Sequence, residues 1–382
     1  MGDFEILIKE IPIAKIKQFA AEAKVLDASE RNKIYPDNGS IIINEKDEVV
    51  LKLKKINKDE VDYLMFSIKK KKKNTIILAI VGLLIIGCLW EIIMQKKESE
   101  MLHEGSTYNI NSHNMQAYIN GDKNISVVFI SGSGTPCAYT DFYFQQESLK
   151  KYAKTISFDH AGYGWSDDTH ISRDVNTLAD ELEELLSKTL NSKKYVLVAH
   201  SLGALEAFRY AQKYSKKVSD VILVDGGNPK FYVEDSEMGS ILINRAASVL
   251  RITGINRLLS ISGYKFPLGG ENIRYKSLPE EIKGIDTAMY YKAFGNYSNL
   301  ANLKLINENA QTVVDNGYIN GIRLHIISVD NGNAAWNESQ ENLLKWSDKS
   351  SQVIIKNGEH YVYWSNKEEV LEEIINVLNS VK

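Results

Sequence analysis

The sequence predicts an α/β fold, in which a mainly parallel sheet is covered by helices, preceded by one membrane-spanning helix. After residue 101, short β-branched runs alternate with helical patterns, the order expected of parallel strands joined by helices. Before that point, one apolar run is long enough to cross a bilayer. The composition, 44% hydrophobic and 25% charged, is that of a globular chain rather than a disordered one.

Length and charge limit the classes of function. A chain of 382 residues exceeds the size at which single cores stop growing, so more than one part is expected. The 46 Lys+Arg and 49 Asp+Glu give a net charge of -3, which offers no basic surface for a phosphate backbone. Nucleic acid is therefore not an expected partner. The two cysteines, Cys88 and Cys137, leave the compartment undecided. The sequence does not predict the oligomeric state.

The apolar run reads TIILAIVGLLIIGCLW from Thr75 to Trp90 and continues past Glu91 to Met94. About 20 residues of helix suffice to cross roughly 30 Å of hydrocarbon. A buried core helix is the alternative, but such a helix normally keeps a polar stripe. We therefore predict a transmembrane helix over residues 75–94. Its distance from the N-terminus argues against a cleaved signal peptide.

The basic residues around this helix predict its orientation. Lys69–Lys73 form an unbroken basic block before it, whereas the lysines that follow stand among glutamates. Because the side richer in Lys and Arg stays inside, the N-terminus should be cytoplasmic and the large domain extracytoplasmic. Residues 1–68 are interpreted as a small cytoplasmic α+β or partly ordered region, with a helical pattern at Ala14–Leu26 and two strands around Glu45–Glu48.

Residues 101–382 are expected to form the large domain, around a sheet of eight strands. Helical patterns cover Leu178–Leu190, Leu202–Tyr214 and Glu368–Leu378. Ligands of such sheets bind at the carboxyl ends of the strands. The strand-like runs are Tyr108–Ile110, Met115–Ile119, Ser126–Ile130, Thr155–Phe158, Tyr195–Ala199, Val218–Val224, Ile322–Val329 and Gln352–Ile355.

The clearest chemical signal is YVLVAHSLGALEAFRYA, a strand followed by Ala199-His200-Ser201-Leu202-Gly203 and a helix. A serine on such a tight turn needs small neighbours two residues before and after it. This segment resembles the nucleophile elbow of the α/β-hydrolase superfamily, although Ala replaces the more usual Gly. The resemblance extends over almost all of the chain after the anchor and implies that Ser201 is the nucleophile.

Two glycine-rich segments match the same family in order. Ser131-Gly132-Ser133-Gly134 follows a strand where the family forms its oxyanion hole, and the resemblance implies the backbone N–H groups of Ser133 and Leu202 as donors. Ser131 departs from the usual His. DHAGYGWSD, from Asp159, resembles the family's Asp-x-x-Gly-x-Gly-x-Ser loop and is interpreted as scaffold. Neither a metal nor a cofactor is expected, since His160 has no partner at ligand spacing.

The general base is expected at His360, which lies between the last strand-like run and the last helical pattern. For the acid that orients it, the sequence offers Asp225 after VILV and Asp330 after LHIISV. The more frequent family arrangement, Gly-x-x-Asp, points to Gly332 rather than Asp330. VILVDGGNP resembles the pancreatic-lipase arrangement, so Asp225 is favoured and Asp330 stays the alternative.

These segments predict a membrane-anchored serine hydrolase that cleaves an ester or amide through an acyl-enzyme on Ser201. Residues 226–320 would form a helical cap that decides the substrate. The framework is similar to that of proline iminopeptidases, and esterase, lipase and aminopeptidase activities stay open. An acyltransferase with the same triad, or a membrane receptor that keeps the fold without turnover, is the alternative. Dehalogenase and epoxide hydrolase activities are disfavoured, because those relatives carry Asp at the elbow.

Overall fold

A computed structural model of the chain describes residues 40–44, 48–53, 64–65, 70–99, 104–190, 192–261, 271–293, 295–330 and 332–381. The chain divides into two compact units, Met1–Ile86 and Gly87–Lys382. The helical pattern at Ala14–Leu26 lies outside the described residues.

The first unit contains a small antiparallel sheet of strands β1 (Ser40–Asn44), β2 (Glu48–Leu53) and β3 (Leu64–Met65). Strands β1 and β2 are the two strands predicted around Glu45–Glu48, and they pair antiparallel. Helix α1 (Lys70–Ser99) follows, and the boundary between the units falls within it.

Helix α1 contains the predicted apolar segment. By length and composition, Ile77–Glu98 is a helix that can cross a membrane, and almost none of it is buried. The exposed side chains between Ile77 and Ile93 are mostly large and apolar. Lipid is the solvent in which a helix apolar on every face is stable.

The second unit is built around an eight-stranded sheet. The eight strands confirm the eight strand-like runs of the sequence. In chain order they are β4 (Ser106–Ile110), β5 (His113–Asn120), β6 (Ser126–Ile130), β7 (Lys154–Phe158), β8 (Tyr195–His200), β9 (Val218–Val224), β10 (Arg323–Asp330) and β11 (Lys349–Lys356).

Helices of this unit pack on the sheet, and seven of the helices that the structure describes form the long crossover from β9 to β10. They are α2 (Ala138–Asp141), α3 (Tyr143–Leu149), α4 (Val175–Thr189), α5 (Gly203–Lys213), α6 (Pro229–Glu234), α7 (Met238–Ile252), α8 (Ile255–Ile261), α9 (Glu271–Ser277), α10 (Glu280–Ala293), α11 (Tyr297–Lys304), α12 (Ile306–Asp315), α13 (Ala334–Asn342), α14 (Val362–Ser365) and α15 (Lys367–Ser380).

The strand order is β11-β10-β9-β8-β6-β7-β5-β4. Strands β6 to β11 pair in parallel, whereas β5 pairs antiparallel with both β7 and β4. Strands β6, β8 and β9 are buried on both sides, which explains their continuous apolar sequences. Strand β8 lies near the middle of the sheet, so the residues after it emerge at the centre of its carboxyl edge.

Local sequence sets the ends of the helices that pack on this sheet. Helix α4 begins earlier than the apolar pattern predicted, because the Asp174 side chain accepts hydrogen bonds from the N–H groups of Asn176 and Thr177. Helix α6 begins in the same way at Asn228, whose side chain accepts from Lys230, with Pro229 in the first turn. The Asn228 cap fixes where the helix after β9 begins.

A buried ionic cluster joins helices α2, α9 and α10. The Arg274 guanidinium lies 3.1 Å from an Asp141 oxygen and 3.0 Å from an Asp286 oxygen. Arg274 and Asp141 are fully buried, and the Tyr363 hydroxyl also donates to Asp141. Burial raises the pKa of Asp141, and the Arg274 charge opposes that shift. The cation therefore compensates two carboxylates that have left water.

We predict that Arg274→Met strongly destabilises the protein. Removing one partner of a buried ion pair leaves uncompensated charge, which typically costs about 3–5 kcal/mol. The measurement is the free energy of unfolding by chemical denaturation. Exposed Lys356→Met is the matched control and should change it by less than about 0.5 kcal/mol. Equal stability of the two variants would contradict this account of the cluster.

Candidate active site

Ser201 lies on a tight turn between strand β8 and helix α5, with a φ of +50°. Left-handed backbone is strained for a residue with a side chain and persists only where the surroundings enforce it. Ala199 is fully buried, and a Cβ at Gly203 would stand 2.7 Å from the Ser131 carbonyl oxygen. The turn therefore requires the small flanking residues that the sequence carries.

The structure brings three of the sequence-predicted side chains together at this turn. His360 Nε2 lies 2.9 Å from Ser201 Oγ, and His360 Nδ1 lies 2.5 Å from Asp225 Oδ2. Ser201 follows β8, Asp225 follows β9, and His360 lies after β11. When a hydroxyl, an imidazole and a buried carboxylate are hydrogen-bonded in this order, the imidazole can take the proton of the hydroxyl.

Asp225 is held from several sides. It is fully buried, with a φ of +44°. Its Oδ1 accepts a hydrogen bond of 3.1 Å from the Trp336 indole N–H and one of 3.4 Å from the Val329 amide. Its own amide donates to the Ile327 carbonyl. One carboxylate oxygen is thus occupied by fixed donors, and the other faces His360.

Asp330, the alternative acid, has different surroundings. It is exposed at the end of β10. Its Oδ1 accepts hydrogen bonds from the Gly332 amide at 3.3 Å and from the Asn337 side chain at 2.8 Å. These contacts hold the turn that leads into helix α13, whereas the carboxylate in contact with His360 is that of Asp225.

The loop 131–134 passes directly over the nucleophile turn. A Cβ at Gly132 would stand 2.9 Å from Ser201 Cβ and 3.0 Å from His200 Nδ1. Ser133 and Leu202, the predicted oxyanion donors, line one cavity of about 50 Å³ beside this loop. Other residues that line this cavity are His160, Tyr163, Leu205, Glu206, Asn302 and Ile306.

His160 forms a second histidine–carboxylate contact in this cavity. Its Nε2 lies 2.6 Å from Glu206 Oε2, and its Nδ1 lies 3.5 Å from Ser131 Oγ. Glu206 is buried on helix α5. Within the residues that the structure describes, no group of three or more His, Cys, Asp or Glu is arranged to hold a metal ion.

The DHAGYGWSD segment forms a loop organised by its first residue. The Asp159 carboxylate is buried. It accepts hydrogen bonds from the Tyr118 hydroxyl at 2.6 Å and from the Ala138 amide at 2.7 Å. A Cβ at Gly164 would stand 1.9 Å from Asp159 Oδ2. The glycine thus lets the loop close on its own carboxylate.

Sequence reasoning missed two side chains that contact the central three. Tyr232 on helix α6 is mostly buried with its hydroxyl near Ser201, and burial raises its pKa. The Asn228-Pro229 cap predicts that a helix begins just before Tyr232, but not that this ring turns toward β8. His200 Nε2 lies 3.0 Å from the His360 carbonyl oxygen.

His200 is a buried neutral histidine. Burial, and secondarily the neighbouring His360 ring, lower the pKa of His200 well below its usual value. A neutral ring that donates from Nε2 holds the backbone of His360 in place. His200 therefore supports the loop on which the predicted base is carried.

Comparisons with known proteins agree with this fold. A family model described as the α/β hydrolase fold matches residues 125–252. The uncharacterized protein YbdG of Bacillus subtilis is 31% identical over 205 residues, which are 52% of this chain and 61% of YbdG. The proline iminopeptidase of Saccharolobus solfataricus is 29% identical over 162 residues, which are 39% of this chain and 51% of that protein.

Solved structures resemble about three quarters of this chain. A thermophilic esterase from Thermogutta terrifontis has a TM-score of 0.56 at 20% identity, over 73% of this chain and 99% of the esterase. A laboratory-evolved potato epoxide hydrolase has a TM-score of 0.58 at 17% identity, over 73% of this chain and 99% of that chain. At these identities the likeness concerns the fold alone.

The α/β-hydrolase fold predicted from the motifs is confirmed, and the family model and the relatives support membership of that superfamily. The chain spans less than two thirds of the length of the curated relatives that it matches. The fold supports a hydrolase or a related activity.

We predict that His200→Gln makes the free energy of unfolding depend less on pH below about pH 6.5. An unfolded histidine takes up a proton near pH ~6.5, whereas folded His200 stays neutral to lower pH. The stability present above about pH 6.5 is lost as the pH falls toward the folded pKa, with a slope of at most about 1.4 kcal/mol per pH unit. Gln keeps a donor for the His360 carbonyl but does not titrate. The free energy of unfolding, measured from pH ~5 to ~8, should show a smaller slope; parallel curves would contradict the assignment.

Proposed function

We propose that this chain is a membrane-anchored serine hydrolase that cleaves an ester or amide through an acyl-enzyme on Ser201. The observation that carries the proposal is the chain of contacts from Ser201 Oγ to His360 Nε2 at 2.9 Å and from His360 Nδ1 to Asp225 at 2.5 Å. Its members stand on the carboxyl edge of the sheet, where this fold binds ligands.

Each side chain has a defined role in the proposed reaction. His360 Nε2 takes the proton of the Ser201 hydroxyl as Oγ attacks the carbonyl carbon, and Asp225 stabilises the imidazolium and fixes its tautomer. The backbone N–H groups of Ser133 and Leu202 receive the oxyanion. When the intermediate collapses, the bond to the leaving group breaks, and His360 gives it the proton. Water then attacks the acyl-enzyme by the same route and releases the acid.

The fold alone does not select this chemistry, since fold relatives include both an esterase and epoxide hydrolases. The residue at the turn favours acyl transfer, because an alcohol beside an imidazole is a nucleophile for carbonyl carbon. An acyltransferase would use the same acyl-enzyme with an alcohol or amine in place of water. A receptor without turnover is disfavoured, because ligand binding alone does not require a buried carboxylate that contacts His360, as Asp225 does.

The anchor in this proposal is helix Ile77–Glu98, whose length and apolar character suit a membrane span. The basic block Lys69–Lys73 precedes it. We infer a cytoplasmic N-terminus and an extracytoplasmic hydrolase domain. One such helix is common to many proteins, so the anchor needs its own test.

The nucleophile is tested by a fluorophosphonate, which labels activated serines covalently. We expect the wild-type protein to be labelled and Ser201→Ala to be unlabelled. Ser131→Ala is a matched control, because Ser131 lies in the same site but contacts His160 instead of His360. It should keep most of the labelling. A folded wild-type protein that never reacts would overturn the proposal.

The acid is tested by a pair of variants. Asp225→Asn should lower kcat by about 10⁴, the loss seen when a triad acid is removed. Asp330→Asn should change it by less than about tenfold, because Asp330 contacts the α13 turn instead of His360. Turnover of the best ester found in a screen of acyl esters and aminoacyl amides measures both. The opposite ranking would make Asp330 the acid.

Orientation is tested by protease added to intact cells. The large domain should be digested, and a tag placed at the N-terminus of residues 1–68 should stay protected. In permeabilised cells the tag should be lost as well, which controls for its susceptibility. Loss of the tag from intact cells, with the large domain spared, would reverse the proposed orientation.

A further inference from the structure

Helices α7 and α8 carry a mostly apolar face, interrupted by Arg245, that the described part of the chain leaves exposed. Along α7, Met238, Leu242, Val249 and Ile252 recur at helical spacing and are 52–62% exposed. Leu258 on α8 is 57% exposed. Together with Ile243 these side chains form an apolar surface on two adjacent helices. Isolated exposed apolar residues are ordinary, but a contiguous patch marks an interaction site.

The opposite side of α7 is packed against the rest of the unit. Asn244 and Ala247 are buried there, and Asn244 hydrogen-bonds Asn299 of helix α11. Helix α7 is therefore held by apolar packing of Ala247 and Ile241 and by the polar contact of Asn244, and it presents further large apolar side chains outward. A surface helix of a water-soluble protein normally exposes polar residues on that side instead.

The turn between α7 and α8 packs on the end of helix α1 that belongs to the same unit. A Cβ at Gly87 would stand 2.2 Å from the Thr253 carbonyl oxygen, and a Cβ at Gly254 would stand 2.9 Å from the Gly87 carbonyl oxygen. Gly87 precedes Met94, the last apolar residue of the run, by about 10 Å of helix. If Met94 marks the membrane surface, this turn lies below it.

Charges on the two helices support the same placement. Glu91 of α1 is buried, and Arg257 of α8 lies 2.5 Å from one of its oxygens and 2.6 Å from an oxygen of Glu98. A carboxylate within an apolar span is tolerated when a protein cation pairs with it. The cation here comes from the cap, so α8 stands at the depth of Glu91 in the span.

We propose that the apolar surface of α7 and α8 inserts into the outer part of the lipid bilayer beside helix α1. Interfacial helices bury their apolar side about 5–10 Å into the headgroup and acyl boundary, which matches the level of Gly87. Arg245, exposed within the α7 face, can reach anionic phosphates with its long side chain. This inference rests on the membrane anchor of the proposed function.

Insertion of α7 and α8 into lipid would also determine how a substrate reaches Ser201. Helix α6, whose Tyr232 hydroxyl lies near Ser201, leads directly into α7. A cap seated in lipid would place the approach to Ser201 next to acyl chains and headgroups. The class of substrate favoured by this placement is a membrane-resident acyl ester.

The experiment uses the full chain in vesicles of phosphatidylcholine and phosphatidylglycerol. Cys88→Ser removes the partly exposed thiol, and Cys137 is fully buried. A polarity-sensitive fluorophore is attached to Leu242→Cys or Val249→Cys. Val353→Cys is the matched control, an exposed apolar residue on strand β11. Lipids with a nitroxide on the acyl chain should quench positions 242 and 249 roughly threefold more than 353, because only those two enter the acyl region.

Flotation of the same vesicles tests the membrane anchor independently of the lipid insertion of α7 and α8. Protein that floats with the vesicles and still reacts with the fluorophosphonate, but shows equal quenching at 242 and 353, would overturn lipid insertion and leave the anchor intact. A blue-shifted signal at 242 that lipid nitroxides do not quench would mean that a second copy of the chain covers the face. Protein that does not float would overturn both the anchor and the insertion.

Discussion

The left-handed turn at Ser201 is the constraint on which the site depends. A residue with a side chain holds this conformation only if neighbouring segments prevent its relaxation. The loop 131–134 and the start of helix α5 approach so closely that a Cβ at Gly132 or Gly203 would overlap its neighbours. The close approach confines the turn in which Ser201 Oγ contacts His360.

Burial of charge determines how the other two groups are held. Removing a carboxylate from water is costly unless donors replace the water. Asp225 meets this requirement with Trp336, Val329 and His360, so its orientation is fixed before any substrate arrives. His200 adds a second restraint on His360 through its backbone carbonyl. A site held in this way loses little entropy when the reaction begins.

The cap has a different physical character from the sheet. Strands β6 to β9 are buried on both faces, and their contacts leave few alternatives. Helices α7 and α8 instead expose large apolar side chains, and polar and ionic contacts of Asn244 and Arg257 add to the apolar packing that holds them. Relatives of one fold differ in chemistry and in substrate because such segments vary on a constant sheet. The chemistry proposed for this chain therefore rests on the sheet edge, and its substrate on the cap.

The sequence alone determined the eight strands, the turn at Ser201 and the place of His360, because periodicity and glycine spacing are local properties of the chain. It did not determine which carboxylate meets His360. Asp225 and Asp330 end neighbouring parallel strands, about 4.8 Å apart in the hydrogen-bonding direction, so both satisfy the same order along the chain. Only the tertiary structure turns Asp225 inward onto His360 and leaves Asp330 in solvent. Likewise, the tertiary structure places the Tyr232 hydroxyl of helix α6 near Ser201. Contacts of this kind depend on how separate segments pack, which no local pattern encodes.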